Sequence, residues 1–323
     1  MAGGAQEPSV ANVTLVTGFL LMGFSNVQQL QILYGVLFLL IYLAALMGNL
    51  LIITLTTLDI KLQTPMYFFL KNLSFLDVFL VSVPIPKFIV NNLTHNSSIS
   101  ILACAFQLLL MTSFSAGEIF LLTAMFYDRY VAICCPLHYK VVMNTGICVL
   151  MASVSWAIGG LFGTVYTAGT FSMPFCGSSV IPQFFCDVPS LLRISCSETL
   201  MVIYAGIGVS ACLSISCFIC IVISYIYIFS TVLKIPTTKG QSKAFSTCLP
   251  HLIVFTVFIT TAYFVYLKPP SNSPSVIDRL FSVIYTVMPP LFNPVTYSLR
   301  NDDMKRALIR LLQNAYGQEA YFI

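Results

Sequence analysis

Seven long apolar segments constrain this chain more than any other feature of its sequence. Each has about 20 residues or more, the length that a helix needs to cross the hydrocarbon of a bilayer. Only 8% of the residues are charged and 58% are hydrophobic, whereas an ordinary soluble domain has about 25% charged residues. The sequence therefore predicts an all-α membrane protein, a seven-helix bundle. The segments cover roughly residues 31–57, 65–90, 101–133, 147–168, 200–233, 244–267 and 275–299.

The distribution of Lys and Arg predicts the orientation of the bundle. With the N-terminus outside the cell, eleven of the fifteen basic residues fall on the inner side and four on the outer side, which is the bias of plasma-membrane proteins. We therefore expect an extracellular tail at 1–30, a multi-pass domain at 31–299 with a long outer loop at about 170–199, and a cytoplasmic tail at 300–323. Apolar and basic residues alternate with helical spacing over 302–313, which indicates an amphipathic helix on the inner leaflet.

Two acids lie inside the apolar segments, Asp77 in the second and Glu118 in the third. Ionisable groups in membrane spans face the bundle interior and need a partner. We expect them to form a buried polar cluster with Asn49 and Asn293. The cluster has three interpretations: a sodium ion, a shared proton, or a hydrogen-bonded pair with no ion. An Asn in a span is also typical of a simple interhelical hydrogen bond.

The polar and ionisable residues of the third segment fall at helical spacing on one stripe that also carries Met and Leu, which predicts the face that the helix turns to the bundle core. Cys104 and Arg129 on this segment are 25 residues apart, or about 37 Å along a helix. They therefore lie at opposite membrane surfaces. The residues of the stripe are Met111, Ser115, Glu118, Leu122, Met125 and Arg129.

Four cysteines lie on the predicted outer, oxidising side, where disulfides form. They are Cys104, Cys176, Cys186 and Cys196, and four cysteines allow three pairings. The predicted outer side also carries three Asn-x-Ser/Thr acceptors for N-glycosylation. Asn12 in the tail is the favoured one, and Asn92 and Asn96 lie in a short loop close to the membrane.

Four local motifs stand at the ends of the apolar segments. The third segment ends in Met-Phe-Tyr-Asp-Arg-Tyr-Val-Ala-Ile-Cys at 125–134. Pro-Met-Tyr-Phe-Phe-Leu opens the second segment at 65–70, and Lys-Ala-Phe-Ser-Thr-Cys opens the sixth at 243–248. The seventh ends in Asn-Pro-Val-Thr-Tyr-Ser-Leu-Arg-Asn at 293–301. These motifs resemble those of olfactory receptors, a branch of the rhodopsin-like G-protein-coupled receptors, and specifically the tetrapod-type class. One departure stands in the sixth segment, where Phe-Ile-Thr at 258–260 replaces the usual Phe-Tyr-Gly.

The resemblance implies two disulfides, Cys104–Cys186 over the third span and Cys176–Cys196 within the outer loop. It also implies an activation switch at the inner ends of the helices. In the active state Arg129 would leave Asp128 and the sixth span would swing outward. The residues that the resemblance assigns to this switch are Asp128, Arg129, Tyr130, Tyr225, Asn293, Pro294 and Tyr297.

By position in the family, the ligand pocket lies in the outer half of the bundle. Its predicted lining is mostly apolar, with few hydroxyls and no cation or acid, which suits a small, neutral, volatile molecule. The predicted partners are such an odorant, a stimulatory olfactory-type G protein that raises cyclic AMP, and membrane lipids; the expected location is the cilia of olfactory sensory neurons. The predicted pocket residues are Met111, Thr112, Ser115, Val209, Ser210, Ala262, Tyr263, Tyr266, Val283 and Thr286.

Other functions fit the sequence less well. It has no catalytic His/Cys/Ser constellation, no Gly-rich phosphate loop and no zinc spacing, so we expect no enzyme, cofactor or metal beyond the sodium ion considered above. Its scattered basic residues form no patch for nucleic acid. A light-driven pump would need a lysine in the last segment, which has none, and no inverted repeat points to a transporter. The principal alternative is a non-olfactory rhodopsin-like receptor for another small molecule.

Overall fold

The structure, a computed structural model, describes residues 18–25, 27–175, 179–195, 201–234, 238–267, 276–298 and 302–319. Within the helices, the side chains at 201–204, 238–240, 242–251, 266–267, 276, 297–298 and 314–319 are not described. The described residues form long helices and a small sheet. The helices are α1 (Gln28–Leu58), α2 (Pro65–Ser82), α3 (Ile85–Thr94), α4 (Ile101–Cys134), α5 (Tyr139–Val142), α6 (Thr145–Phe171), α7 (Val188–Ile194), α8 (Met201–Val232), α9 (Thr238–Leu267), α10 (Val276–Ser298) and α11 (Asp302–Glu319).

The long helices match the seven predicted apolar segments. By length and composition, five helical stretches of the described residues can cross a membrane, and Leu252–Val265 within α9 is a shorter apolar stretch. The second segment is divided, because α2 ends at Ser82 and α3 begins at Ile85. Pro84 lies between them and has no N–H to donate into a continuous helix, which explains the break.

Helix α4 is the centre of the bundle and packs against α2, α6 and α8. Ser100 caps its first turn, because its Oγ accepts a hydrogen bond from the backbone N–H of Ala103 at 3.2 Å. The contact with α6 is especially close. A Cβ atom added at Gly163 would lie 2.0 Å from Ser113 Oγ, and one at Gly159 would lie 2.4 Å from the Ser113 carbonyl oxygen. Small residues at this interface let the two backbones approach, as is usual between membrane helices.

A three-stranded sheet covers the end of the bundle that carries Cys104, which we call the disulfide end. Its central strand β1 (Gly18–Leu21) pairs antiparallel with β2 (Ser98–Ser100) and parallel with β3 (Val180–Ile181). Phe19 and Leu21 point into a small apolar core beneath it. The last part of the predicted tail is therefore folded onto the loops between the helices.

Helix α11 packs against the opposite end of the bundle, which we call the Arg129 end. Its apolar side is buried at Met304 and Ala307, and Arg310 Nε donates to Asp59 Oδ2 at 3.0 Å. The hydrogen bond from Arg310 holds the pKa of Asp59 below its usual range. The helix begins where the sequence predicted and extends beyond residue 313.

Candidate functional site

A cavity of about 150 Å³ lies within the bundle near the disulfide end. It is lined by α4, α6, α8, α9 and α10 and by residues 185–188 of the loop between α6 and α8. An engineered cavity of about this volume holds benzene in another protein. Most of the lining is apolar, so the cavity suits a small organic molecule. Six of the predicted pocket residues line it: Met111, Thr112, Ser115, Ser210, Ala262 and Tyr263.

The other predicted pocket residues do not line this cavity where their side chains are described. Val209 is 56% exposed on the outer face of α8, because the helix turns by about 100° between it and Ser210. Thr286 is fully buried and donates to the Ser282 carbonyl at 2.7 Å. Val283 packs into the main core of the bundle. The side chain of Tyr266 lies outside the described residues.

The cavity also contains an acid, Asp187, so the expectation of a lining without acids is wrong. Asp187 follows Cys186 directly and is only 3% exposed. Burial raises its pKa to about 6, although hydrogen bonds from Ser190 and the charge of Arg193 act in the opposite direction. The sequence feature that could have placed Asp187 in the cavity is its position directly after Cys186, because the predicted disulfide of Cys186 holds this loop over α4.

Two tyrosines in the cavity wall tie neighbouring helices together. Tyr166 Oη and Ser210 Oγ are 2.6 Å apart and join α6 to α8. Tyr263 Oη donates to the Ala211 carbonyl at 2.9 Å and joins α9 to α8. Ile259 also lines the cavity, at the position where the family pattern usually has a tyrosine. The aromatic wall on α9 therefore includes Tyr263, one turn further along.

Charged side chains meet at the Arg129 end. Arg129 Nη2 lies 2.6 Å from Asp128 Oδ2, and Tyr139 Oη donates to Asp128 Oδ1 at 2.8 Å. Among the other predicted switch residues, Tyr225 is buried with its ring centroid 5.3 Å from that of Phe126. Tyr130 contacts Tyr227 with an edge-on ring, and Pro294 packs beside Gly48. The side chain of Tyr297 lies outside the described residues.

The cavity and the Asp128–Arg129 pair can now be set beside the proteins that this chain resembles in sequence. A sequence model of the family described as "Olfactory receptor" matches residues 38–315. The chain belongs to the olfactory receptor family. It is 92% identical to human "Olfactory receptor 14A2" over 314 residues, which cover 97% of this chain and all of that protein. It is 56% identical to human "Olfactory receptor 14A16" over 304 residues, 94% of this chain and 98% of that protein.

Membership in this family confirms the predicted class of the protein. It is a multi-pass membrane receptor with a seven-helix fold, and not an enzyme. The predicted disulfide between Cys104 and Cys186 is present, with Cα atoms 5.6 Å apart. Cys176 and Cys196 lie outside the described residues, so their pairing stays a prediction.

The three predicted glycosylation sites differ in the structure. Asn12 lies outside the described residues. Asn92 is only 5% exposed and its Nδ2 donates to the Phe88 carbonyl at 2.8 Å. The prediction for Asn92 is therefore wrong, because the nitrogen that would carry the sugar is buried inside α3. Asn96 is exposed in the following turn and stays a prediction.

A buried polar cluster lies inside the receptor between the cavity and the Arg129 end of the chain. Asn293 Nδ2 donates to Asp77 Oδ2 at 3.0 Å and to Glu118 Oε1 at 3.3 Å. Asn49, which the sequence placed in the same cluster, instead donates to the carbonyls of Ala45 at 3.0 Å and Pro290 at 2.8 Å. Asn49 therefore links α1 to α10 through the backbone, as a simple interhelical hydrogen bond.

The cluster fits the sodium ion considered from the sequence. Glu118 Oε2 and Asn293 Oδ1 are buried without a hydrogen-bond partner in the described residues. Oxygen donors of this kind are those that hard cations prefer. Two neighbouring carboxylates that are both ionised repel each other, so a sodium ion or a shared proton would stabilise them.

Proposed function

We propose that this receptor binds small volatile organic molecules in the cavity beneath Cys186 and activates a stimulatory, olfactory-type G protein, which raises cyclic AMP. The observation that carries the proposal is the mainly apolar cavity, whose volume matches a molecule about the size of benzene. Apolar contact can hold such a ligand, and few polar groups are available to orient it.

The proposed orientation places the disulfide end outside the cell and the Arg129 end in the cytoplasm. Residues 1–30 then precede the bundle on the outer side, and residues 300–323 follow it on the inner side. This arrangement follows from the excess of Lys and Arg at the inner ends of the helices and from the oxidising compartment that a disulfide needs. Ligand and G protein would thus bind at opposite ends of the bundle, with the membrane lipids around it.

Activation in this proposal is a shift between two conformations. A ligand can shift the equilibrium only by its preferential affinity for the active state. In the structure Arg129 is paired with Asp128, an arrangement that suits the inactive state. In the active state Arg129 leaves Asp128, the end of α9 near Arg129 moves outward, and Tyr225 and Tyr297 stabilise the freed guanidinium. The opened space accepts a helix of the G protein.

The test measures cyclic AMP in cells that express the receptor with an olfactory-type G protein, screened against volatile compounds. We expect a saturable response to one chemical class, and loss of that response in Arg129→Ala at equal surface expression. Lys87→Ala, which removes a cation near the disulfide end, is the matched control and should respond like the wild type. A full response from Arg129→Ala would overturn the proposed switch.

A receptor for a non-volatile small molecule would behave differently in the same assay. It would be silent with the volatile panel at verified surface expression and would respond to other ligands through Arg129. For the proposed olfactory role, the receptor should be found in the cilia of olfactory sensory neurons by antibody staining.

A further inference from the structure

Asp187 is the one acid among the described residues that line the cavity. It belongs to the loop between α6 and α8, beside the disulfide that fixes this loop over α4. It lines the ligand cavity and also a neighbouring space of about 10 Å³, which Gln183, Arg193 and Asp278 line as well. The acid therefore separates the ligand cavity from a small polar space near the outer end of α10.

Only one oxygen of this carboxylate is used within the described residues. Oδ1 accepts a hydrogen bond from the backbone N–H of Ser190 at 3.2 Å and caps α7. Oδ2 is buried and no donor of the described residues reaches it. A buried acceptor left without a partner costs about 1–3 kcal/mol, and more when it is charged. A ligand that donates to Oδ2 would offset this cost.

Several hydroxyls in the cavity wall are already engaged with the protein, and Thr112 and Ser115 add two further hydroxyls to the wall. Tyr263 donates to the Ala211 carbonyl, Ser214 donates to the Ser210 carbonyl at 2.8 Å, and Tyr166 is bonded to Ser210. The two tyrosine bonds join neighbouring helices, and the Ser214 bond lies within α8. Hydroxyls that donate within the bundle can serve a ligand only as neutral acceptors. Asp187 Oδ2 is instead a carboxylate acceptor that has no partner within the described residues.

We propose that Asp187 selects ligands that carry an O–H or N–H donor at one end of a compact apolar body, and that it accepts a hydrogen bond from that donor. The inference rests on the proposed ligand cavity and specifies its ligand class as alcohols, phenols and amines. Hydrogen bonds to an ionised acceptor are about twice as strong as those between neutral groups. A pKa of about 6 leaves the carboxyl mainly ionised at neutral pH.

The test uses ligands of one size that differ in the donor. Benzyl alcohol and anisole are isomers, and only the alcohol can donate a hydrogen bond; benzylamine adds a cationic donor. Binding to the purified full-length receptor is measured by thermal shift, which needs no G protein. We expect the alcohol to bind about tenfold more tightly than anisole, the ratio that corresponds to about 1.4 kcal/mol. Equal affinities, or no binding of either isomer, would overturn the inference.

Asp187→Asn is the matching variant, because asparagine can still cap α7 while the charge is removed. The variant should bind benzyl alcohol about tenfold more weakly than the wild type does, and benzylamine should lose at least as much affinity. The affinity for anisole should be unchanged. Asp278→Asn removes a buried acid that does not line the ligand cavity, and it should leave all three affinities unchanged. An equal loss for alcohol and ether in Asp187→Asn would show a merely structural role. If Asp187→Asn does not fold, the affinities of the wild type for benzyl alcohol and anisole still test whether the cavity selects hydrogen-bond donors.

The two proposals fail in different ways. Donor-selective binding without cyclic AMP would contradict the proposed G-protein coupling and leave the role of Asp187 intact. A cyclic AMP response to a volatile alcohol or amine that is insensitive to Asp187→Asn would uphold the receptor function and refute the role of Asp187.

Discussion

Tyr139 donates a hydrogen bond to Oδ1 of Asp128 at 2.8 Å, while Oδ2 of the same carboxylate accepts from Arg129. The loop after α4 therefore helps to position Asp128, and Asp128 in turn is paired with Arg129. Burial and this hydrogen bond raise the pKa of Tyr139, so its phenol stays protonated and remains a donor.

Replacing Tyr139 by Phe should raise the activity of the receptor without ligand. The change removes a hydrogen bond to a charged group, worth about 1.5 kcal/mol or more, and leaves Asp128 less firmly placed to retain Arg129. We expect basal cyclic AMP to rise several-fold at equal surface expression. Tyr127→Phe, at a ring that is 42% exposed on α4, should change nothing. Unchanged basal activity in Tyr139→Phe would show that Asp128 is held without the loop.

Filling the cavity should block binding. In Ser115→Phe the larger ring would occupy space that the proposed ligand needs. The overlap between ring and ligand is a form of overpacking, so agonist potency should fall by about 100-fold or the response should vanish. Val209→Phe places the same ring on the exposed face of α8 and should respond like the wild type. Dose–response curves of cyclic AMP measure both variants. A normal curve from Ser115→Phe would mean that the ligand binds elsewhere.

The close contact between α4 and α6 should tolerate no added side chain at Gly163. A Cβ there would lie 2.6 Å from the Leu109 carbonyl oxygen, which belongs to the backbone and cannot move aside. Overpacking of this kind costs about 1–3 kcal/mol or more, so Gly163→Val should lower the melting temperature and the surface level. Gly160→Val is the control, because no atom lies within 4 Å of its added Cβ. Equal stability of the two variants would contradict the close packing.

The cluster of Asp77, Glu118 and Asn293 should make the receptor sensitive to sodium. If the ion stabilises the inactive state, replacing sodium by choline outside the cells should raise agonist potency by about fivefold, a typical coupling between two sites. Glu118→Gln removes one carboxylate and should abolish the difference. Potency that does not depend on sodium would favour a shared proton or an ion-free pair.

Acid should weaken ligands that donate to Asp187. Its pKa of about 6 means that the carboxylate is present at about pH 7.5 and largely protonated at about pH 5.5. The charged or titratable groups of the described residues around it are Arg193 on α7, Asp278 on α10, Tyr166 on α6 and Tyr263 on α9. Over this range benzyl alcohol should lose affinity for the receptor and anisole should not. The dependence should disappear in Asp187→Asn; its persistence there would assign it to another group.

The sequence by itself determined the class of the protein and the course of its helices. Apolar length and helical period are local properties, so the span positions and the inward stripe of α4 from Met111 to Arg129 could be read directly. Cysteine count left three pairings open, and family resemblance selected Cys104–Cys186, which the structure contains.

Only the tertiary structure decided which side chains share a site. Val209 and Ser210 are adjacent, yet one faces outward and the other lines the cavity, because the rotation of α8 is set by its packing against α4. Asp187 reaches the cavity because the disulfide folds its loop back over α4, a contact between residues far apart in sequence. Such placements depend on distant partners, so no local pattern can specify them.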